Sequence, residues 1–94
     1  MIRVHIRRSI SDKNKEAVVG LINRLRSTIV GQPGYLSSET LNRVDVPGEI
    51  LVVSKWQSRF YWSQWFESRE RTEIQTMLDD LVTEETLYEI YEYE

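Results

Sequence analysis

The feature that most constrains the fold of this sequence is the order in which strand-like and helix-like hydrophobic patterns follow one another. Residues 2–8 alternate apolar and charged side chains, the period of a strand with one buried face. Residues 18–29 repeat apolar side chains at helical spacing. Two further strand-like segments, a helical region and a last alternating segment follow, over 35–41, 49–56, 59–81 and 86–93. The order β-α-β-β-α-β predicts a ferredoxin-like α+β sandwich, a four-stranded antiparallel sheet with its helices on one face.

Short polar residues and glycines predict where these elements begin and end. Ser11 is expected to cap the first helix, which should end near Gly31. Ser58 and Ser68 are expected to cap the helical segments that follow the third strand. The segment 45–48 contains proline followed by glycine and therefore predicts a turn before that strand.

Composition narrows the class of protein. A chain of 94 residues is expected to form one domain over residues 1–94. The absence of cysteine excludes a disulfide scaffold and a thiolate metal site, and the net charge of -3 argues against general nucleic-acid binding. The longest apolar run, Ile50–Val53, is far shorter than the ~20 residues of a membrane span. We expect a soluble, cytoplasmic domain that binds neither nucleic acid nor membrane.

The third strand is apolar on both faces, because Ile50 and Val52 alternate with Leu51 and Val53. The helices of the predicted fold cover only one side of the sheet. An apolar face of this size is not normally left in water. We therefore expect a two-fold homodimer that forms through the helix-free face of the sheet.

The segment 53–68 carries a resemblance to a known family. The run Val53-Ser-Lys-Trp56-Gln-Ser58, followed by Phe60, Trp65 and Ser68, resembles the antibiotic biosynthesis monooxygenase family. Members of that family end the third strand in a tryptophan and place a second aromatic residue on the next helix. The resemblance implies a dimeric α/β barrel with a pocket between helices and sheet. It also implies a monooxygenase that oxidises an aromatic or quinol-like small molecule without a metal or an organic cofactor.

Such a pocket needs aromatic walls and a polar group that handles a proton or an oxyanion. The first strand offers His5 and Arg7 as candidate catalytic groups. The candidate substrate-binding residues are aromatic: Trp56, Tyr61, Trp62, Trp65, Phe66 and Tyr91.

Each candidate also has a purely structural interpretation. The aromatic side chains fit an ordinary core, and His5 fits a surface or a dimer interface. Arg7 fits an ion pair with Glu89 or Glu92, because the last strand neighbours the first in this topology. The absence of a clear general base favours an alternative function, a non-catalytic small-molecule-binding or regulatory dimer on the same barrel. A structural dimer with a filled core is a third interpretation.

The nine-residue step from Trp56 to Trp65 is similar to the haem-degrading branch of the family. That branch has an asparagine on the first strand and an axial histidine about ten residues after the tryptophan, where this sequence has Gln75. The first strand contains no asparagine, so the resemblance does not extend to haem degradation. No metal site is predicted either, because the clustered acidic residues lack the spacing of a calcium loop: Asp79, Asp80, Glu84 and Glu85.

Overall fold

The computed structural model describes all of residues 1–94, and they form four strands and three helices. The strands are β1 (Ile2–Ser9), β2 (Tyr35–Asn42), β3 (Glu49–Trp56) and β4 (Leu87–Glu92), and the helices are α1 (Lys15–Ile29), α2 (Arg59–Phe66) and α3 (Arg69–Asp79). The strands form one sheet in the order β2-β3-β1-β4, and every pairing is antiparallel. The predicted ferredoxin-like fold is confirmed. None of the helices has the length and apolar character needed to cross a bilayer.

The two faces of the sheet have different surroundings. Val4 of β1 is fully buried and lies opposite Ser54 of β3 and Ile90 of β4. Successive side chains of a strand point to opposite faces, so the even-numbered residues of these three strands face the helices. The odd-numbered residues, including Leu51 and Val53, lie on the uncovered face.

Two groups of buried side chains fill the space between the sheet and the helices. The first group is aliphatic and includes Ile22 of α1, Ile50 of β3 and Leu78 of α3. The second group contains three tryptophans, among which Trp56 has no exposed surface. The Trp56 indole N–H donates a hydrogen bond of 3.1 Å to the Oγ of Ser54, which satisfies the one polar atom of that buried ring.

The two helices that follow β3 begin where the sequence predicted them. The Ser58 Oγ accepts the backbone N–H of Tyr61, and the Ser68 Oγ accepts the backbone N–H of Arg71 at 3.3 Å. Each bond satisfies one of the N–H groups that a helix leaves free in its first turn. The two caps divide the aromatic segment, which is α2, from the segment that is α3.

The start of α1 differs from the prediction. The Ser11 side chain makes no capping hydrogen bond, and a single 3-10 turn over Asp12–Asn14 precedes the helix. The helix begins at Lys15 and ends at Ile29. The amide of Asn14 donates instead to the carbonyl of Leu81, so this residue connects the start of α1 to the segment after α3. A sequence pattern does not reveal this tertiary hydrogen bond, because its two residues are 67 positions apart.

Candidate active site

A cavity of about 40 Å³ lies between the sheet and the helices, where the two groups of core residues meet. Its apolar walls come from every layer, with Ile6 and Val52 on the sheet, Leu25 and Ile29 on α1, and Trp65 on α2. This volume accommodates a few water molecules, since one water needs about 10–15 Å³. Ligand pockets are usually ~300–1,000 Å³. A ring-sized ligand therefore requires wall side chains to move.

Two of the predicted aromatic residues, Trp62 and Trp65, line this cavity. Both are almost completely buried, because α2 presents them to the sheet one turn apart. Phe66 packs behind them, with its ring centroid 5.0 Å from that of Trp62 and 5.3 Å from that of Tyr88. The aromatic helix therefore serves as core and as cavity wall at the same time.

Trp56 and Tyr61 lie close to the cavity without lining it. Trp56 is enclosed in the core, where its ring meets Tyr35 edge-on at 5.6 Å. Tyr61 covers Gly34, whose φ of +79° requires glycine and where a Cβ would overlap the Tyr61 ring. These contacts hold the end of β3 and the loop before β2, and so fix the frame around the cavity.

The other predicted site residues lie on the opposite side of the sheet. His5 and Arg7 of β1 and Tyr91 of β4 are on the uncovered face, because they are in register with odd-numbered neighbours. The His5 and Tyr91 rings are 5.0 Å apart. Arg7 donates to Glu89 at 3.1 Å, which is one of the two ion pairs expected for it. The sheet separates all three residues from Trp62 and Trp65, so the structure divides the predicted site into two groups.

The residue that the sequence analysis did not select is Arg8. It is only 2% exposed and lines the cavity. A signal for it exists in the sequence, because Arg8 continues the even-numbered apolar series Ile2, Val4 and Ile6. A charged residue that takes the place of an apolar one in this alternation indicates a polar group that is held inside the fold.

Arg8 has few partners for a buried cation. Its Nη2 donates to the Oε1 of Gln75 at 2.8 Å, whereas its Nε is buried without an acceptor. No carboxylate contacts Arg8. Burial lowers the pKa of the Arg8 guanidinium, Tyr88 and Asp79 oppose this shift, and the positive charge of Arg71 adds to it. A guanidinium nevertheless stays protonated in proteins, so the cavity contains a permanent positive charge.

Arg71 of α3 is a second cation at the cavity. Its Nε donates to the Phe66 carbonyl at 2.6 Å, and its Nη1 donates to the Tyr88 hydroxyl at 3.1 Å. The guanidinium lies 4.1 Å from the centre of the Phe66 ring. It has no carboxylate partner, so its charge is also uncompensated.

Gln75 is engaged within the protein. Its Oε1 accepts from Arg8, and its Nε2 donates to Asp79 at 2.8 Å and to Thr86 at 3.2 Å. Because the Gln75 Oε1 is directed at the Arg8 guanidinium and the cavity is much smaller than a haem, the residues present do not fit that cofactor. No three His, Cys, Asp or Glu side chains come together in an arrangement that could hold a metal ion.

The fold and the cavity define a small α+β sandwich with a buried pocket between its two layers. The family profile described as antibiotic biosynthesis monooxygenase matches residues 1–77. The chain therefore belongs to the antibiotic biosynthesis monooxygenase family.

Individual proteins share part of the sequence or the fold of this chain. Protein SchA of Streptomyces halstedii is 25% identical over 81 residues, which are 86% of this chain and 21% of SchA, so the chain spans about a fifth of that relative's length. A conserved protein from Methanosarcina mazei superposes with a TM-score of 0.93 at 18% identity, covering 99% of this chain and 92% of its own. SnoaB of Streptomyces nogalater, described as a cofactor-independent oxygenase, superposes with a TM-score of 0.86 at 14% identity, covering 99% and 92%. At these identities the two structures show the shared fold.

Proposed function

We propose that this protein is a cofactor-independent monooxygenase that oxidises an aromatic or quinol-like small molecule in the cavity between helices and sheet. The observation that carries the proposal is a cavity walled by Trp62 and Trp65 beside the buried guanidinium of Arg8, in a chain of this family. The description of SnoaB as a cofactor-independent oxygenase on the same fold supports it.

The residues at the cavity suit a reaction in which the substrate itself supplies the electrons. Arg8 stabilises the substrate anion and the negative charge that develops on reduced oxygen. The apolar walls exclude water from that intermediate. With a hydroquinone, one atom of O₂ is inserted into a ring C–H bond as a hydroxyl group, and the other leaves as water with the two hydrogens that the hydroquinone loses on oxidation to the quinone. The atoms and electrons balance without an external reductant.

Oxygen uptake tests the proposal directly. We expect O₂ consumption with at least one member of a panel of hydroquinones and related fused-ring phenols, in the presence of a metal chelator. Turnover that disappears with the chelator and returns with a single metal would contradict the cofactor-independent mechanism. Equal rates with and without protein across the panel would contradict enzyme activity on these compounds.

A matched pair of variants tests whether the cavity is the site. Leu25→Phe adds a ring to a residue that lines the cavity, whereas Leu21→Phe makes the same change one turn earlier, away from it. Both changes crowd the core and should cost about 1–3 kcal/mol of stability. We expect Leu25→Phe to abolish oxygen uptake and Leu21→Phe to retain it. Equal activity of the two variants would place the reaction elsewhere.

The second candidate function is a non-catalytic small-molecule-binding or regulatory protein on the same fold. The observation that favours it is the cavity lining, which includes arginine and serine but no carboxylate or imidazole. Without such a group, removal of a substrate proton relies on the positive charge and on solvent. Saturable binding of a ring compound with no oxygen uptake across the panel would favour this second function.

The proposal includes a homodimer that forms through the uncovered face of the sheet. That face carries Leu41, Leu87 and Tyr91, each about half exposed, around the partly buried Leu51. A two-fold pairing of this face with itself removes the apolar side chains from water. Light scattering should give about 22 kDa, twice the 11.2 kDa of the chain. A mass of one chain at micromolar concentration would contradict the dimer.

A further inference from the structure

Two serines at the cavity have no role in the proposed reaction. Ser38 of β2 and Ser54 of β3 both line the cavity. They lie directly opposite each other in the antiparallel pairing of the two strands, so their side chains share the face of the sheet that meets the helices. A hydroxyl group that is taken out of water needs hydrogen-bond partners, because its desolvation is otherwise uncompensated. The partners of these two serines therefore show what the cavity offers to a ligand.

The hydroxyl group of Ser54 is used within the protein as an acceptor only. Ser54 is buried, and its Oγ accepts the indole N–H of Trp56 at 3.1 Å. A serine hydroxyl also has one proton to donate, and no protein atom accepts the proton of Ser54. Because the Trp56 ring is enclosed in the core, it holds the Ser54 oxygen in place while the O–H remains free to turn towards the cavity.

Ser38 brings a second donor to the same place. The Ser38 Oγ and the Tyr35 hydroxyl oxygen are 2.7 Å apart, and either of them can be the donor. Whichever oxygen donates, the other one keeps a proton that no protein atom accepts. Both residues also line the open groove next to the cavity. This end of the cavity therefore presents two O–H donors and no charge.

The serine pair and Arg8 lie at opposite ends of the cavity floor. Ser54 is opposite Val4 of β1, four residues before Arg8. Four residues of a strand span about 13 Å. Ile6 and Val52, which are paired with each other between these two positions, line the cavity with apolar side chains. The floor is therefore charged at one end, apolar in the middle and lined by neutral hydroxyl groups at the other end.

We propose that Ser54 and Ser38 form a hydrogen-bonding subsite that determines the specificity of the cavity, by donating to a neutral acceptor oxygen at the end of the ligand remote from Arg8. This inference rests on the proposed function and adds the residues that select among ring compounds. Trp56 is a positioning residue for the subsite, because it acts on the ligand only through the Ser54 oxygen. A ring without an acceptor at that end leaves buried O–H donors unpaired, so the protein discriminates against it.

Two compounds of nearly equal shape test the subsite without turnover. In 4-methoxyphenol an ether oxygen takes the place of one methylene group of 4-ethylphenol, and the two phenols have similar acidity. We expect the wild-type protein to bind 4-methoxyphenol about 3–10-fold more tightly in calorimetric titrations without oxygen, the range for one neutral hydrogen bond. Ser54→Ala should remove this preference by weakening the binding of 4-methoxyphenol while the affinity for 4-ethylphenol stays unchanged.

Two further variants complete the test. Ser54→Ala also leaves the Trp56 N–H without its acceptor, so Ser38→Ala, which should reduce the preference, covers the case in which the first variant does not fold. The matched control is Ser37→Ala, the same change at an exposed residue on the other face of the sheet, which should leave the preference intact. Equal affinity of the wild-type protein for the two compounds, or binding of neither, would overturn the subsite. A preference that persists in both Ser54→Ala and Ser38→Ala would overturn it too.

The role of Trp56 has its own readout in the indole N–H resonances of the three tryptophans. Hydrogen bonds in a chain polarise one another, so a ligand that accepts from Ser54 should strengthen the bond that Trp56 donates to it. In heteronuclear NMR spectra we expect 4-methoxyphenol to shift the Trp56 indole resonance more than 4-ethylphenol does. Equal shifts with the two compounds would contradict the positioning role of Trp56.

The outcomes also separate this inference from the proposed function. A preference for 4-methoxyphenol that depends on Ser54, without oxygen uptake across the hydroquinone panel, supports the subsite and contradicts the oxygenase. Oxygen uptake by a protein that binds the two compounds equally supports the oxygenase and contradicts the subsite.

Discussion

Arg7 and Arg8 are adjacent in the chain and lie in opposite environments. Arg7 is on the uncovered face, where its side chain is 41% exposed and pairs with Glu89. Arg8 is on the covered face, 2% exposed and without a carboxylate partner. A surface ion pair contributes about 0–1 kcal/mol, whereas a buried cation is tolerated only where the fold or a ligand compensates for it. The comparison shows that the fold compensates the charge of Arg7 with a carboxylate and leaves that of Arg8 without one.

The same contrast extends over the whole sheet. The covered face carries the fully buried Trp56 and packs against the tryptophans of α2, whereas the uncovered face carries Leu41, Leu87 and Tyr91, which are about half exposed. We therefore expect the first face to determine stability and the cavity, and the second face to mediate the proposed association.

Removing an aromatic ring from the covered face should have the largest effect on stability. Trp56→Ala deletes a side chain with no exposed surface and should cost about 3–5 kcal/mol, because the core cannot close over the gap. Tyr91→Ala on the uncovered face should cost about 1 kcal/mol in the dissociated chain, where that ring is about half exposed. Urea denaturation followed by circular dichroism measures both values. Equal losses would show that the two faces contribute alike to stability.

Activity should separate the two adjacent arginines. If oxygen uptake is found, Arg8→Gln should lower kcat/KM by about 10²–10³, as loss of an electrostatic stabiliser does. Arg7→Gln should lower it less than about threefold, because it removes a surface ion pair. This pair of variants also tests the catalytic role predicted for Arg7 from the sequence. A larger loss in Arg7→Gln would assign the chemistry to the other face of the sheet.

Association should depend on the uncovered face alone. Leu51→Glu places a carboxylate in the middle of that face and should weaken the dimer by about 100-fold or more, because it leaves a charge without water or partner. Met77→Glu introduces the same charge at an exposed position of α3, away from the sheet. Light scattering across a dilution series should show dissociation of the first variant only. Dissociation of both would indicate another interface.

The smallest effect concerns pH and His5. Burial lowers the pKa of His5 from 6.5, the charges of Arg3 and Arg7 lower it further, and Glu89 opposes them. The unfolded chain therefore binds this proton more readily, so stability should fall as the pH drops from about 6.5 towards the pKa of the folded state. Melting curves at pH 7.5 and 5.5 should show this loss of stability. The loss should be smaller in His5→Gln, which lacks the titrating imidazole. An identical pH dependence in the variant would exclude His5 as its source.

The element order and the division of the strands into faces were predictable from the sequence. Alternation with period two and repetition with period 3.6 are local properties, and they assigned β1, β3, β4 and the helices correctly. The caps at Ser58 and Ser68 were predictable for the same reason, since each involves a backbone N–H three residues away. The predicted cap at Ser11 is wrong, because its side chain makes no capping hydrogen bond and a 3-10 turn separates it from the helix, which begins at Lys15.

The composition of the site required the tertiary structure. The sequence identified Trp62 and Trp65 through their spacing on a helix, but it did not determine which of six aromatic residues surround a gap between layers. The sequence placed His5 and Arg7 on the same side of β1. Which side of β1 faces α2 depends on the register of β1 with β3. Arg8, Arg71 and Gln75 come together only when α3 packs against the sheet. Local periodicity determines the elements and their faces, and packing between distant segments determines which polar groups are buried together, because burial is a property of the assembled layers.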